Sequence, residues 1–127
     1  MKRLADEAEF LRGARLHESG EHWEAHEAWE GLWREAAGEE TRVLLQGLIQ
    51  VTAAFHKLLV RREGDAALRI LDRGLEKLDR VPAAQDGVDV AAFREGARAC
   101  REALAQGQAA FDPRSIPRVT LCPPERG

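Results

Sequence analysis

The sequence predicts an all-α fold: a single-domain antiparallel bundle of about five helices, with a central apolar third helix and an extended, proline-rich C-terminal tail. Three observations predict it. Apolar residues recur every three or four positions along most of the chain, which is the spacing of amphipathic helices. Glycine and proline gather in short clusters that divide those stretches. One stretch, from Val43 to Val60, is apolar on almost every side, so other helices must surround it.

The elements follow in order. Residues 3–18 carry Leu4, Ala8 and Leu11 at helical spacing, with Asp6, Glu7 and Glu9 early, where the helix dipole favours acids. Ser19-Gly20 stops this helix, and the short turn folds the second helix back on the first. That brings His17 close to His22, with His17 expected at the exposed carbonyls of the first helix end. The second helix runs from Glu21 to near Gly38. The third begins at Glu39 and runs to about Arg62, with Gln46, Gln50, Lys57 and Arg61 on a narrow polar strip. His56 lies away from that strip, so its imidazole needs a hydrogen bond or a ligand.

Asp65 is expected to cap the fourth helix, which ends near Arg80. Arg69, Arg73, Lys77 and Arg80 line its outer side. The row reads as a solvated face paired by Asp65 with Arg69 and Glu76 with Arg80. Pro82 to Gly87 reads as a loop. Asp89 caps a fifth helix to about Ala110, with Val90, Phe93, Ala97, Cys100, Leu104, Gly107 and Phe111 on its inner stripe. Pro113 ends it, and the four prolines of the tail favour extended chain. The division expected is a helical domain over 1–112 and a tail over 113–127.

Composition limits the function classes. A chain of 127 residues is one domain by length, and 44% hydrophobic residues suffice for a core. A net charge of −3 is too mild to select or reject a polyanionic partner. No stretch approaches the ~20 apolar residues of a membrane span. Met1-Lys2-Arg3 leads into acids instead of an apolar leader, so a cytoplasmic protein is expected, with Cys100 and Cys122 as reduced thiols.

The stretch from Glu21 to Arg34, EHWEAHEAWEGLWR, holds all three tryptophans and two of the four histidines. On a helix, Ala25, Ala28, Trp29 and Leu32 share the inner arc. His22, His26 and Glu30 form a row at i, i+4, i+8 on its shoulder. Half-buried imidazole and carboxylate groups need partners. A metal, a side chain from another helix, or each other would serve. Ligands one turn apart are how a helix grips a transition metal, and His56 is the best candidate to join from the third helix. The segment is not HExxH, because Glu30 stands where the second histidine would be, which disfavours a metalloprotease.

His26, Glu30 and Trp33 match the pattern HxxxExxW. With Gly20-Glu21-His22-Trp23-Glu24-Ala25 upstream and Gln46-Gly47-Leu48-Ile49-Gln50-Val51 to Phe55-His56 downstream, the sequence resembles the bacterial and archaeal family called domain of unknown function 309. The resemblance implies a small all-helical fold and suggests metal binding by His26, Glu30 and Trp33. His22 departs from the aromatic residue the family favours there.

Three readings stand at this level. One is a metal-binding protein, a hydrolase in its catalytic version, with His26, Glu30, His56 and His22 as ligands of a divalent transition metal such as zinc. Another is a non-enzymatic helical interaction module or homo-oligomer in which the motif is structural and tryptophans act as packing anchors. The third, disfavoured because no aromatic residue interleaves, is a nucleic-acid or anion stripe from Arg69 to Arg80. No residue pattern names a small-molecule substrate, and no membrane partner is expected.

Overall fold

The computed structural model describes residues 3–123. Five helices make up most of it: α1 (Ala8–Glu18), α2 (His22–Glu35), α3 (Glu39–Leu59), α4 (Gly64–Leu78) and α5 (Val90–Ala105). A two-stranded antiparallel hairpin, β1 (Ala84–Gln85) with β2 (Val88–Asp89), joins α4 to α5. The all-α class holds, with α3 as the central element: it packs against both α2 and α4. Among the described residues, no helix is long and apolar enough to cross a membrane.

The boundaries differ from the sequence expectation in places, each with a local cause. The first helix begins at Ala8, because Glu7 is extended (φ −88°, ψ 123°) after a 3-10 turn at Leu4–Asp6. That turn is held elsewhere: Leu4 is buried and the Ala5 amide donates to the Asp86 carbonyl at 3.0 Å. Glu63, not Asp65, occupies the cap position of α4, and Asp65 sits in the first turn. Asp89 caps α5 as expected, accepting from the Ala92 amide at 3.0 Å. Helix α5 stops at Ala105, short of Ala110, and Gly107 turns the chain at φ +121°, which glycine tolerates best. The stretch read as a plain loop is a tight hairpin. Its central residues, Asp86 (φ 55°) and Gly87 (φ 76°), both take the left-handed conformation of such turns.

Trp29, Phe10, Phe55, Phe93, Leu44, Leu45 and Leu48 form the centre of the core and are essentially inaccessible. The α3–α4 crossing is close because glycines face each other: a methyl on Gly74 would lie 2.8 Å from Val51 Cγ2 and 3.1 Å from the Gly47 carbonyl oxygen. After α5, Asp112 caps a 3-10 turn at Pro113–Ser115. The chain then returns to the hairpin, where Leu121 bridges Val88 and the Cys122 amide donates to the Gly87 carbonyl at 2.8 Å.

Candidate functional site

Helix α2 sorts its side chains by face. Ala25, Ala28 and Trp29 point into the core. Trp29 lies over Gly13, where any side chain would collide with the indole, and its Nε1–H donates to the Phe10 carbonyl at 3.2 Å. The next shoulder carries a continuous polar and aromatic chain. Arg34 donates to Glu30 at 3.1 Å, and the other carboxylate oxygen of Glu30 lies 3.5 Å from His26 Nδ1. The His26 ring stacks on Trp23 with centroids 4.8 Å apart and planes within 10°. Trp23 also meets His56 of α3, at 5.3 Å. The Trp23 indole is 46% exposed despite these two ring contacts. Trp33 braces the other end of α2. The Arg42 guanidinium sits 4.5 Å over its ring and donates to its carbonyl at 3.0 Å.

His22 turns the other way, into a buried cluster with His17 and Thr52. His22 Nδ1 lies 3.1 Å from His17 Nδ1 and 3.2 Å from Thr52 Oγ1, and Thr52 Oγ1 lies 2.9 Å from His17 Nδ1. The opposite nitrogen of His17, Nε2, is 2.9 Å from the Pro117 carbonyl oxygen. Burial, then the neighbouring imidazoles of His17 and His56, pull His22 down to about 4. Burial pushes His17 down as well, against the carbonyl of Pro117 and the charge of Glu18. Both rings are therefore neutral at pH 7.

Residues 10–70 match the model of the family described as Domain of unknown function (DUF309). Over that segment, just under half of the chain, the sequence is similar to this family. The match spans α2 and α3 whole, and with them His17, His22, His26, Glu30, Trp33, Thr52 and His56. No curated protein matches the chain.

The DUF309 resemblance suggested a metal centre, and the donor geometry bears on that directly. Among the described residues, no group of three or more His, Cys, Asp or Glu side chains is placed to hold a metal ion. His26 and Glu30 provide two donors from one helix. His56 packs on Trp23 instead of joining them, and His22 belongs to the inner cluster. Two donors do not make the three- or four-ligand set of a protein zinc site.

Among the described residues, Trp33 Nε1 and Gln50 Oε1 are sealed without a hydrogen bond, and His26 Nδ1 has only the Glu30 carboxylate at the long distance of 3.5 Å. Two of these belong to the HxxxExxW positions. Leaving a buried polar group unpaired costs roughly 1–3 kcal/mol, so the shoulder is less than optimal for stability alone.

Sequence reasoning foresaw the His17–His22 approach from the short Ser19-Gly20 turn, but not the depth of His17, which is 1% exposed instead of lying at an open helix end. Thr52 as a partner of these two histidines, and the Pro117 carbonyl, were missed. Thr52 does sit one turn before His56, a spacing that placed a hydroxyl on the side of α3 facing α2. Pro117 is 100 residues from His17 and gives no local signal.

Proposed function

We propose that the protein is a non-enzymatic helical interaction module whose contact surface is the outer shoulder of α2, and that its partner is a second copy of the chain. The observation that supports this best is Trp23, half exposed yet fixed by the rings of His26 and His56. A large ring held in place before binding loses little conformational freedom on contact, which is the character of an interface anchor. Leu59, the last residue of α3, and Val60 just past it add exposed apolar surface, at 37% and 63%. In this reading Glu30 and His26 position the anchor and perform no chemistry.

Charge favours a second copy as the occupant. Glu21, Glu24 and Glu27 are exposed around Trp23, and the described residues supply none of them with an ion-pair partner. Arg69 and Arg73 are likewise exposed and make no ion pair among the described residues. Within one chain α2 and α4 each pack on α3 and scarcely touch each other. A two-fold pair would satisfy each acidic α2 with the basic α4 of the other copy, twice over.

Sedimentation velocity on the full chain tests this. The expectation is a dimer at about 50 mM salt that weakens at about 500 mM, where the Debye length shrinks to a few ångströms. The double variant Arg69→Glu, Arg73→Glu should be monomeric at both. A chain that stays monomeric at about 100 µM in low salt, where even a weak dimer would be visible, overturns the reading. Stoichiometric zinc retained by the purified chain and lost in His26→Ala would overturn it in favour of a metal centre.

A further inference from the structure

A polar site lies beside the buried His17 and His22 pair. A cavity of about 320 Å³ opens between the α1–α2 turn and the tail, with Leu59, Ile116 and Pro117 in its walls. His17 and His22 line it, and Arg114 and Arg118 stand at its rim. The volume is at the small end of the range for ligand pockets, and the mix of apolar wall and a few polar groups is typical of them.

The hydrogen-bond chain behind the cavity fixes what His22 offers. The Pro117 carbonyl can only accept, so Nε2 of His17 carries the hydrogen. Neutral His17 then has a bare Nδ1, which accepts from its neighbours. His22 Nδ1, only 3.1 Å away, must carry a hydrogen, since two bare nitrogens would repel at that distance. Neutral His22 is thereby left with a bare Nε2. That nitrogen has no partner among the described residues, and it is not among their sealed unbonded polar atoms, which are His26 Nδ1, Trp33 Nε1 and Gln50 Oε1. A residue that is 3% exposed thus presents one unpaired acceptor to the cavity it lines. At the rim, Arg118 spends one nitrogen on Glu18 at 3.2 Å and Arg114 bonds Asp112, so both guanidiniums keep donors free. Two arginines face one lining carboxylate, Glu18.

We propose that this cavity binds a small organic carboxylate bearing a hydroxyl or N–H group. The hydroxyl or N–H donates to Nε2 of His22, and the carboxylate pairs with Arg114 and Arg118, whose planar forks suit it. The tail residues that complete the site, 113–118, lie outside the matched family segment.

The test is a titration of the full ¹⁵N-labelled chain followed by long-range imidazole ¹H–¹⁵N spectra. Probes are glycolate, lactate and para-hydroxybenzoate, with acetate, propionate and benzoate as matched acids lacking the hydroxyl. In the free protein His22 should show a hydrogen on Nδ1 and none on Nε2. At least one hydroxy acid should then shift the His22 Nε2 resonance saturably and bind about tenfold tighter than its matched acid, the value of one hydrogen bond of about 1.4 kcal/mol. Arg118→Gln, an exposed change that leaves the fold intact, should weaken that binding about tenfold, and His22→Phe should abolish the preference for the hydroxyl. A proton on Nε2 in the free protein overturns the proposal. So does equal binding of acids and hydroxy acids, or no shift at about 20 mM of any probe.

Discussion

At the scale of single residues, the His17–His22–Thr52 cluster makes two predictions. Replacing Thr52 by Val keeps the volume and removes the hydroxyl that both imidazoles approach. The expected loss is about 1–3 kcal/mol in urea unfolding, because buried nitrogens lose a partner. The second prediction concerns pH. An unfolded histidine titrates near 6.5, whereas folded His22 is held down to about 4. Between those values the unfolded chain binds a proton that the folded chain refuses, so stability falls as pH drops through this window and this contribution levels off below it. The part due to His22 is about 3 kcal/mol, and the lowered His17 acts in the same direction. Melting temperatures from pH 7 to pH 4 measure it, and His22→Phe should flatten the curve. The approach of these two histidines was legible because a two-residue turn leaves little choice of neighbours. Their protonation pattern was not, because it depends on a hydroxyl from α3 and a carbonyl from the tail.

At the scale of elements, helix packing depends on small residues at specific crossings. Gly74→Ala places a methyl against Val51 and the Gly47 carbonyl, with backbone on one side that cannot rotate away. The expected cost is about 1–3 kcal/mol, seen as a lower urea midpoint with an unchanged slope. Gly31→Ala, at an open position on α2, is the control and should be neutral or stabilising by up to about 1 kcal/mol. The helices themselves were readable because apolar spacing is a local property. Their ends were less so. The first helix lost its opening turn to a tertiary contact of Leu4, and the fifth ended early where Gly107 takes a left-handed conformation. The Asp86-Gly87 pair is a hairpin signal, but two-residue strands are too short to show alternation.

At the scale of the whole molecule, the motif and the family resemblance over residues 10–70 locate a surface without naming a reaction. His26, Glu30 and His56 looked like one ligand set because helical spacing reports which face a residue is on, not where its ring settles. Trp23 takes both imidazoles as packing partners, and the result is a braced, exposed indole. The account therefore depends most on Trp23 being an anchor for another copy and not part of this chain's core. Sedimentation velocity of Trp23→Ala at low salt, with its melting temperature measured under dilute monomeric conditions, tests that most directly. The account predicts a monomer whose melting temperature stays within about 2 °C of the wild-type monomer, as expected when a half-exposed ring is removed. A Trp23→Ala chain that remains dimeric, or that melts lower by about 10 °C as a core deletion would, contradicts it.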